Sequence, residues 1–60
     1  MTYVFALWVQ NLDKGTKVSM MREVLADTEY GAYKAIIHDF YNYYKEDGDE
    51  LCKVEIIEIH

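Results

Sequence analysis

The sequence has no proline, three glycines and a single cysteine in 60 residues. One cysteine cannot form an internal disulfide, and no residues have the spacing of metal ligands, so the usual staples of a small domain are absent. The glycines are isolated, at Gly15, Gly31 and Gly48, and none joins a strand to a helix as a phosphate-binding loop requires. These absences exclude a disulfide scaffold and a nucleotide site, and we expect no cofactor or metal ion.

Long apolar runs and clusters of basic residues are also missing. No segment approaches the ~18 apolar residues that span a bilayer, and no basic and apolar leader opens the chain. With only one cysteine, this favours a soluble cytoplasmic protein. The net charge is −5, and direct binding to nucleic acid is unfavourable because it depends on Lys and Arg that neutralise phosphates.

The acidic excess is confined to the end of the chain. Residues 1–45 hold five acidic and five basic side chains, whereas residues 46–60, here called the acidic end, hold six acids and the single base Lys53. The six acids are Glu46, Asp47, Asp49, Glu50, Glu55 and Glu58. Five of the six tyrosines precede them in residues 30–44. An aromatic and an anionic surface next to each other are suited to binding a basic partner.

Two strands and a hairpin are predicted in the first half of the chain. Residues 2–10 are rich in aromatic and β-branched residues and are apolar at both alternating positions, which predicts a central strand covered on both sides. Residues 11–16 supply turn chemistry, with Gly15 in the left-handed conformation that closes a hairpin. A second strand is predicted at residues 17–25, but its pattern does not decide which side faces the core.

The apolar period then changes from two to 3.6, which predicts a helix at residues 28–46. Asp27 and Thr28 are good N-cap residues, and Gly48 ends the helix. One broad arc of the helix is apolar and is predicted to pack on the sheet. Its members are Ala32, Tyr33, Ile36, Ile37, Phe40, Tyr43 and Tyr44.

Residues 51–59 predict a third strand. Cys52, Val54 and Ile56 share one side of it, until the adjacent Ile56 and Ile57 break the alternation and predict a bulge or a change of partner. Cys52 is predicted to be a small buried apolar residue on the core side.

Together these elements predict one α+β domain, residues 1–60, with the order β-β-α-β. The sheet is antiparallel with strand order 2-1-3, and one helix packs on one face. The other face then exposes either Val4, Ala6 and Trp8 or the alternate residues Tyr3, Phe5, Leu7 and Val9. We expect a homo-oligomer, formed face to face or through edge strands, with Val4, Ala6 and Trp8 as the self-association residues.

No set of residues indicates catalysis, so an enzyme is not expected. Ser19 and Cys52 both lie within strands, and the only histidines are His38 on the helix and His60 at the terminus. The acidic residues 46–50 lack the twelve-residue spacing of an EF-hand, so no metal site is predicted.

Three function hypotheses remain. The first is a small acidic interaction module, an inhibitor or adaptor, that binds a basic surface of a larger protein through Glu46, Asp47, Asp49, Glu50, Glu55, Glu58, Tyr41 and Tyr44. In size and acidity the chain resembles small phage-encoded inhibitors of host enzymes, which implies location in the host cytoplasm. The second is a structural or accessory subunit of a homo-oligomer. The third, least favoured, is an enzyme with its site across a subunit interface.

Overall fold

A computed structural model describes residues 1–60, in the element order β-β-α-β that the sequence predicts. The strands are β1 (Thr2–Asn11), β2 (Thr16–Leu25) and β3 (Asp49–Ile59), and the helix α1 spans Glu29–Asp39. The three antiparallel strands form one sheet of order β2-β1-β3. The predicted α+β fold class and the strand order 2-1-3 are confirmed.

The central strand β1 has one side under the helix and one side uncovered. Its odd-numbered residues Tyr3, Phe5, Leu7 and Val9 form the core with Ala32, Ile36 and Phe40 of the helical segment. The even-numbered Val4, Ala6 and Trp8 point to the other side because side chains alternate along a strand. Of the two arrangements that the sequence left open, the helix covers the odd-numbered set. In the even-numbered set Trp8 is exposed, whereas Val4 and Ala6 are buried although no helix covers them.

The helix begins at a capped turn and ends in a wider one. The Thr28 hydroxyl accepts a hydrogen bond from the Gly31 backbone N–H at 3.0 Å, which satisfies one free donor of the first turn. After α1 the chain continues as a π-helical turn, Phe40–Tyr44, in which the Lys45 N–H donates to the Phe40 carbonyl at 2.8 Å. The described helical residues are therefore 29–44, compared with the predicted 28–46.

The π turn changes which aromatic side chains pack on the sheet. Because this turn closes over five residues instead of four, Tyr44 packs against the core whereas Tyr43 is exposed. Ile37 is also exposed, since α1 reaches the core through Ala32 and Ile36. The predicted placement of Ile37 and Tyr43 in the packed arc is wrong.

The strand β3 contains two bulges, and the first overturns the prediction for its cysteine. The neighbouring residues Trp8 and Val9 of β1 lie opposite Lys53 and Leu51, so Cys52 is the extra residue and is exposed. The bulge removes Cys52 from the alternation, and Leu51, with Val54 and Ile56, packs against the core instead. The second shift leaves Ile57 as an extra residue, which confirms the predicted bulge there.

Asn11, the last residue of β1, is buried and joins the hairpin turn to the loop before β3. Its amide nitrogen donates to the Asp49 carboxylate at 2.8 Å and to the Asp47 carbonyl at 3.0 Å, while its amide oxygen accepts from the Lys14 backbone N–H. Gly48 passes through this junction with φ of +86°, where a Cβ would lie 3.1 Å from the Asn11 oxygen. The junction therefore fixes the loop that leads from the helix to β3.

Neither helical segment has the length and apolar character needed to cross a bilayer.

Candidate functional site

The uncovered side of the sheet, here called the open face, is the candidate site. Residues directly opposite each other in an antiparallel ladder share a side, so the register assigns its members. They are Val4, Ala6, Trp8 and Gln10 of β1, Lys17, Ser19, Met21 and Glu23 of β2, and Glu50, Lys53, Glu55 and Glu58 of β3. The open face thus has an apolar centre along β1 with charged residues on both sides. Within this centre Val4 and Ala6 are buried, so Trp8 is its exposed side chain.

Trp8 is the largest side chain at the centre of the open face. It is 36% exposed, and the Lys53 ammonium lies 4.8 Å from the centroid of its ring, within range of a cation–π contact. Beside it is a shallow depression of about 290 Å³, whose lining includes Gln10, Ser19 and Cys52. An amphipathic ring that is partly exposed in this way is typical of an interface anchor.

The charge of the open face is negative. Four carboxylates, Glu23, Glu50, Glu55 and Glu58, share it with two ammonium groups, Lys17 and Lys53. The Lys53 ammonium is 3.3 Å from the Glu55 carboxylate, so this base is already paired within the chain. Three of the four acids belong to β3, and the anionic rim is therefore strongest along that strand.

The predicted partner-binding residues divide between different parts of the molecule. Glu50, Glu55 and Glu58 lie on the open face. The predicted self-association residues lie there too, but Val4 and Ala6 are buried and only Trp8 is exposed. Tyr44 lies in the helical layer, under the Arg22 guanidinium at 4.7 Å, and packs against the core. Tyr41 is an exposed residue of the π turn that contacts Phe40 edge to face. The structure does not bring the two tyrosines to the acids of the open face.

The acids of the loop before β3 also differ from those of the open face. Asp49 accepts hydrogen bonds from the Glu46 backbone N–H and from the Asn11 amide, and these two bonds lower the pKa of the Asp49 carboxyl. Its carboxylate therefore stabilises the loop. The side chains of Glu46 and Asp47 are exposed, and the Glu46 carboxylate is 4.0 Å from the Lys14 ammonium.

Sequence reasoning missed the contribution of β2 to the open face. Met21 and Glu23 lie opposite Ala6 and Val4, but the pattern of β2 does not decide its facing. The available signal was the hairpin: a four-residue loop between Asn11 and Thr16 fixes the register and places Glu23 opposite Val4.

The side chains with catalytic or ligating chemistry are dispersed. Ser19 is on the open face, His38 is exposed on the helix beside Asp39, and His60 follows β3 near Glu58. No group of three or more metal-ligating side chains comes together.

Comparison of this chain with protein-family models, with curated proteins and with solved structures finds no match. The candidate site therefore rests on geometry and charge alone.

Proposed function

We propose that this protein is a small acidic interaction module that binds a basic surface of a larger protein through the open face of its sheet. The observation that carries the proposal is the exposed Trp8 ring beside the anionic row Glu50, Glu55 and Glu58. The proposal assigns the protein no catalytic role. An inhibitor or adaptor that covers part of a larger protein has this form.

The two parts of the open face supply different components of binding. Interface energy concentrates in a few central residues, with Trp enriched among them, and Trp8 has the position and the partial exposure for that role. The carboxylates around it attract a cationic surface from a distance and favour correct orientation during encounter. Lys and Arg side chains of the partner would then pair with Glu50 and Glu58 at the rim.

Charge favours a basic partner over a second copy on the open face. Two copies packed face to face would bring eight carboxylates and four ammonium groups together, because each open face holds four acids and two bases. The excess of like charge opposes such a contact, although salt would weaken the repulsion. The homo-oligomer predicted on Val4, Ala6 and Trp8 is the second candidate, favoured by the exposed Trp8 ring, and it should strengthen as salt rises.

The first prediction compares two charge-matched triple variants. Glu50→Gln, Glu55→Gln and Glu58→Gln together remove three charges from the open face. The control, Asp27→Asn, Glu46→Gln and Asp47→Asn together, removes three charges from exposed positions outside it. We expect the open-face variant to bind the partner roughly tenfold more weakly at low salt, chiefly through slower association, and the control to bind within about twofold of the original chain.

The measurement is capture of proteins from a cell lysate on each immobilised variant at low and high salt, followed by binding kinetics with the purified captured protein. Capture by the original chain alone decides nothing. A captured protein of basic surface that loses affinity with the open-face variant only would support the proposal. Equal loss with both variants would show an effect of net charge, and no loss with either would reject an electrostatic role for the open face.

A further inference from the structure

The two edges of the sheet differ in how well they could receive another strand. Along β3 the pairing with β1 is interrupted by two bulges, at Cys52 and Ile57, which twist an edge and impede further pairing. Along β2 all ten residues pair with β1 without a register shift, and the strand holds no proline. Three large apolar side chains, Val18, Met21 and Leu25, are exposed on it. β2 thus has a long and regular edge that no bulge or proline interrupts.

The hydrogen bonds of the sheet show which backbone groups of β2 face this free edge. Ala26 donates its backbone N–H to the Met1 carbonyl, so Ala26 and Met1 are a hydrogen-bonded pair. This pair comes directly after the opposing residues Leu25 and Thr2 in the ladder. Backbone groups alternate in direction along a strand, so the even-numbered residues of β2 bond to β1. The N–H and C=O groups of the odd-numbered residues therefore point outward, namely Lys17, Ser19, Met21, Glu23 and Leu25. The Met21 carbonyl accepts a hydrogen bond from the Arg22 guanidinium at 2.8 Å, in agreement with this direction.

We propose that the free edge of β2 pairs antiparallel with the same edge of a second copy, around a two-fold axis at Met20. In this register Lys17 lies opposite Glu23 of the second copy, and the same pair recurs on the other side of the axis. Ser19 lies opposite Met21, and the four outward-facing residues between Lys17 and Glu23 form backbone pairs. The product is a continuous six-stranded sheet with both helices on one side.

Charge complementarity selects this register over its neighbours. An axis moved by one residue to Met21 places Lys17 opposite Leu25 and Glu23 opposite Ser19. An axis at Ser19 places Lys17 opposite Met21. Only the axis at Met20 pairs Lys17 and Glu23, the two charged side chains of β2 on the open face, with opposite charges of the second copy. Cross-strand pairs of opposite charge stabilise a ladder, whereas like charges destabilise it. The Arg22 bond to the Met21 carbonyl is replaced by the N–H of Ser19 from the second copy.

This pairing is independent of the proposed function, because it uses the edge of β2 and leaves the centre of the open face free. It also joins the two open faces side by side, so that a dimer presents two apolar centres in one surface. A dimer would therefore bind a partner with two basic sites more tightly than one copy binds a single site.

The test is sedimentation equilibrium of the full chain and four variants. Ser19→Pro removes an outward N–H without removing a bond to β1, so we expect the fold to be retained, which circular dichroism checks. Lys17→Glu and Glu23→Lys each place like charges opposite each other, whereas the double variant K17E/E23K restores opposite charges. We expect a dimer for the original chain, a monomer for Ser19→Pro, dimer dissociation constants raised at least tenfold for each single charge variant, and recovery in the double variant.

Each other outcome overturns the proposal. A monomeric original chain at millimolar concentration would reject self-pairing altogether. A dimer that Ser19→Pro leaves unchanged would place the contact elsewhere, for example on the open face. If Ser19→Pro fails to fold, the charge variants still decide, because a double variant that dimerises no better than the single variants would contradict the register.

Discussion

Replacing Phe40 by Ala should remove most of the stability of this domain. Phe40 is fully buried and is the last helical residue in the core cluster, which also contains Phe5 and Leu7. Truncation of a buried Phe costs ~3–5 kcal/mol, through lost transfer free energy and the cavity that remains. A 60-residue domain is expected to have only about 3–9 kcal/mol in total. The variant should unfold at much lower denaturant concentration, or be largely unfolded without denaturant.

The measurement is urea denaturation followed by circular dichroism, with Ile37→Ala as the matched control. Ile37 lies on the same helix but is 40% exposed, so we expect its truncation to cost only about 1 kcal/mol. Equal effects of the two substitutions would contradict the orientation of α1 on the sheet. A midpoint for Phe40→Ala that matches the original chain would remove Phe40 from the core.

Asn11→Ala should have the second largest effect, although it removes no apolar contact. Asn11 makes three hydrogen bonds at the junction, and their loss leaves the Lys14 N–H and the Asp49 carboxylate each short of a partner. Asn11 is itself buried, and loss of its hydrogen bonds to the Asp47 carbonyl and the Lys14 N–H, at about 0.5–1.5 kcal/mol each, should cost about 1–3 kcal/mol in total. The matched control is Asn42→Ala at an exposed helical position, which should change stability by less than about 0.5 kcal/mol.

The same variant has a pH signature. The pKa of Asp49 is lowered in the folded protein, so this carboxylate contributes stability above its ordinary value of 3.8 and the contribution is lost as pH falls through the folded pKa. Because the Asn11 amide is one cause of the lower pKa, the difference in melting temperature between the original chain and Asn11→Ala should narrow as pH falls below about 4. The part of the difference that comes from the bonds to Asp47 and Lys14 should remain. A difference that is constant from pH 7 to pH 2 would show that the Asn11 to Asp49 bond contributes nothing.

Local patterns were sufficient to predict the fold class and the strand order. The two-sided apolar character of β1 predicted a central strand, and the change of period after residue 27 predicted the helix. Both signals reflect side-chain burial, and each signal is strong because apolar residues recur at a regular spacing. Which side of β1 faces the helix could be decided only from the structure, because both alternating sets are apolar and either could have faced it.

The errors lie where one bond or one extra residue changes the periodicity. The bulge at Cys52 moved that residue out of the core, and the π turn exposed Tyr43 while keeping Tyr44 packed. Asp49 was assigned to a partner surface on charge alone, whereas its carboxylate binds Asn11, which is 38 residues distant in sequence. Contacts over that separation leave no trace in local sequence, so the junction could not be predicted.

The division of the acidic end changes how its charge should be interpreted. Asp49 is held by hydrogen bonds within the loop, so its substitution would disturb the loop before it disturbed any partner. The acids of the open face have no comparable backbone contacts and are exposed. Mutational tests of the partner surface should therefore retain Asp49 and change Glu50, Glu55 and Glu58.

Trp8 provides the most direct test of the claim that the open face is the partner surface. It is the only tryptophan of the chain, so its fluorescence reports on the centre of the open face without any label, provided that the purified partner contains no tryptophan or has it replaced by Phe. The measurement is acrylamide quenching of Trp8 in the free protein and in the saturated complex. We predict that the partner covers the ring and reduces the quenching constant several-fold. A saturated complex in which Trp8 is quenched as readily as in the free protein would contradict the account.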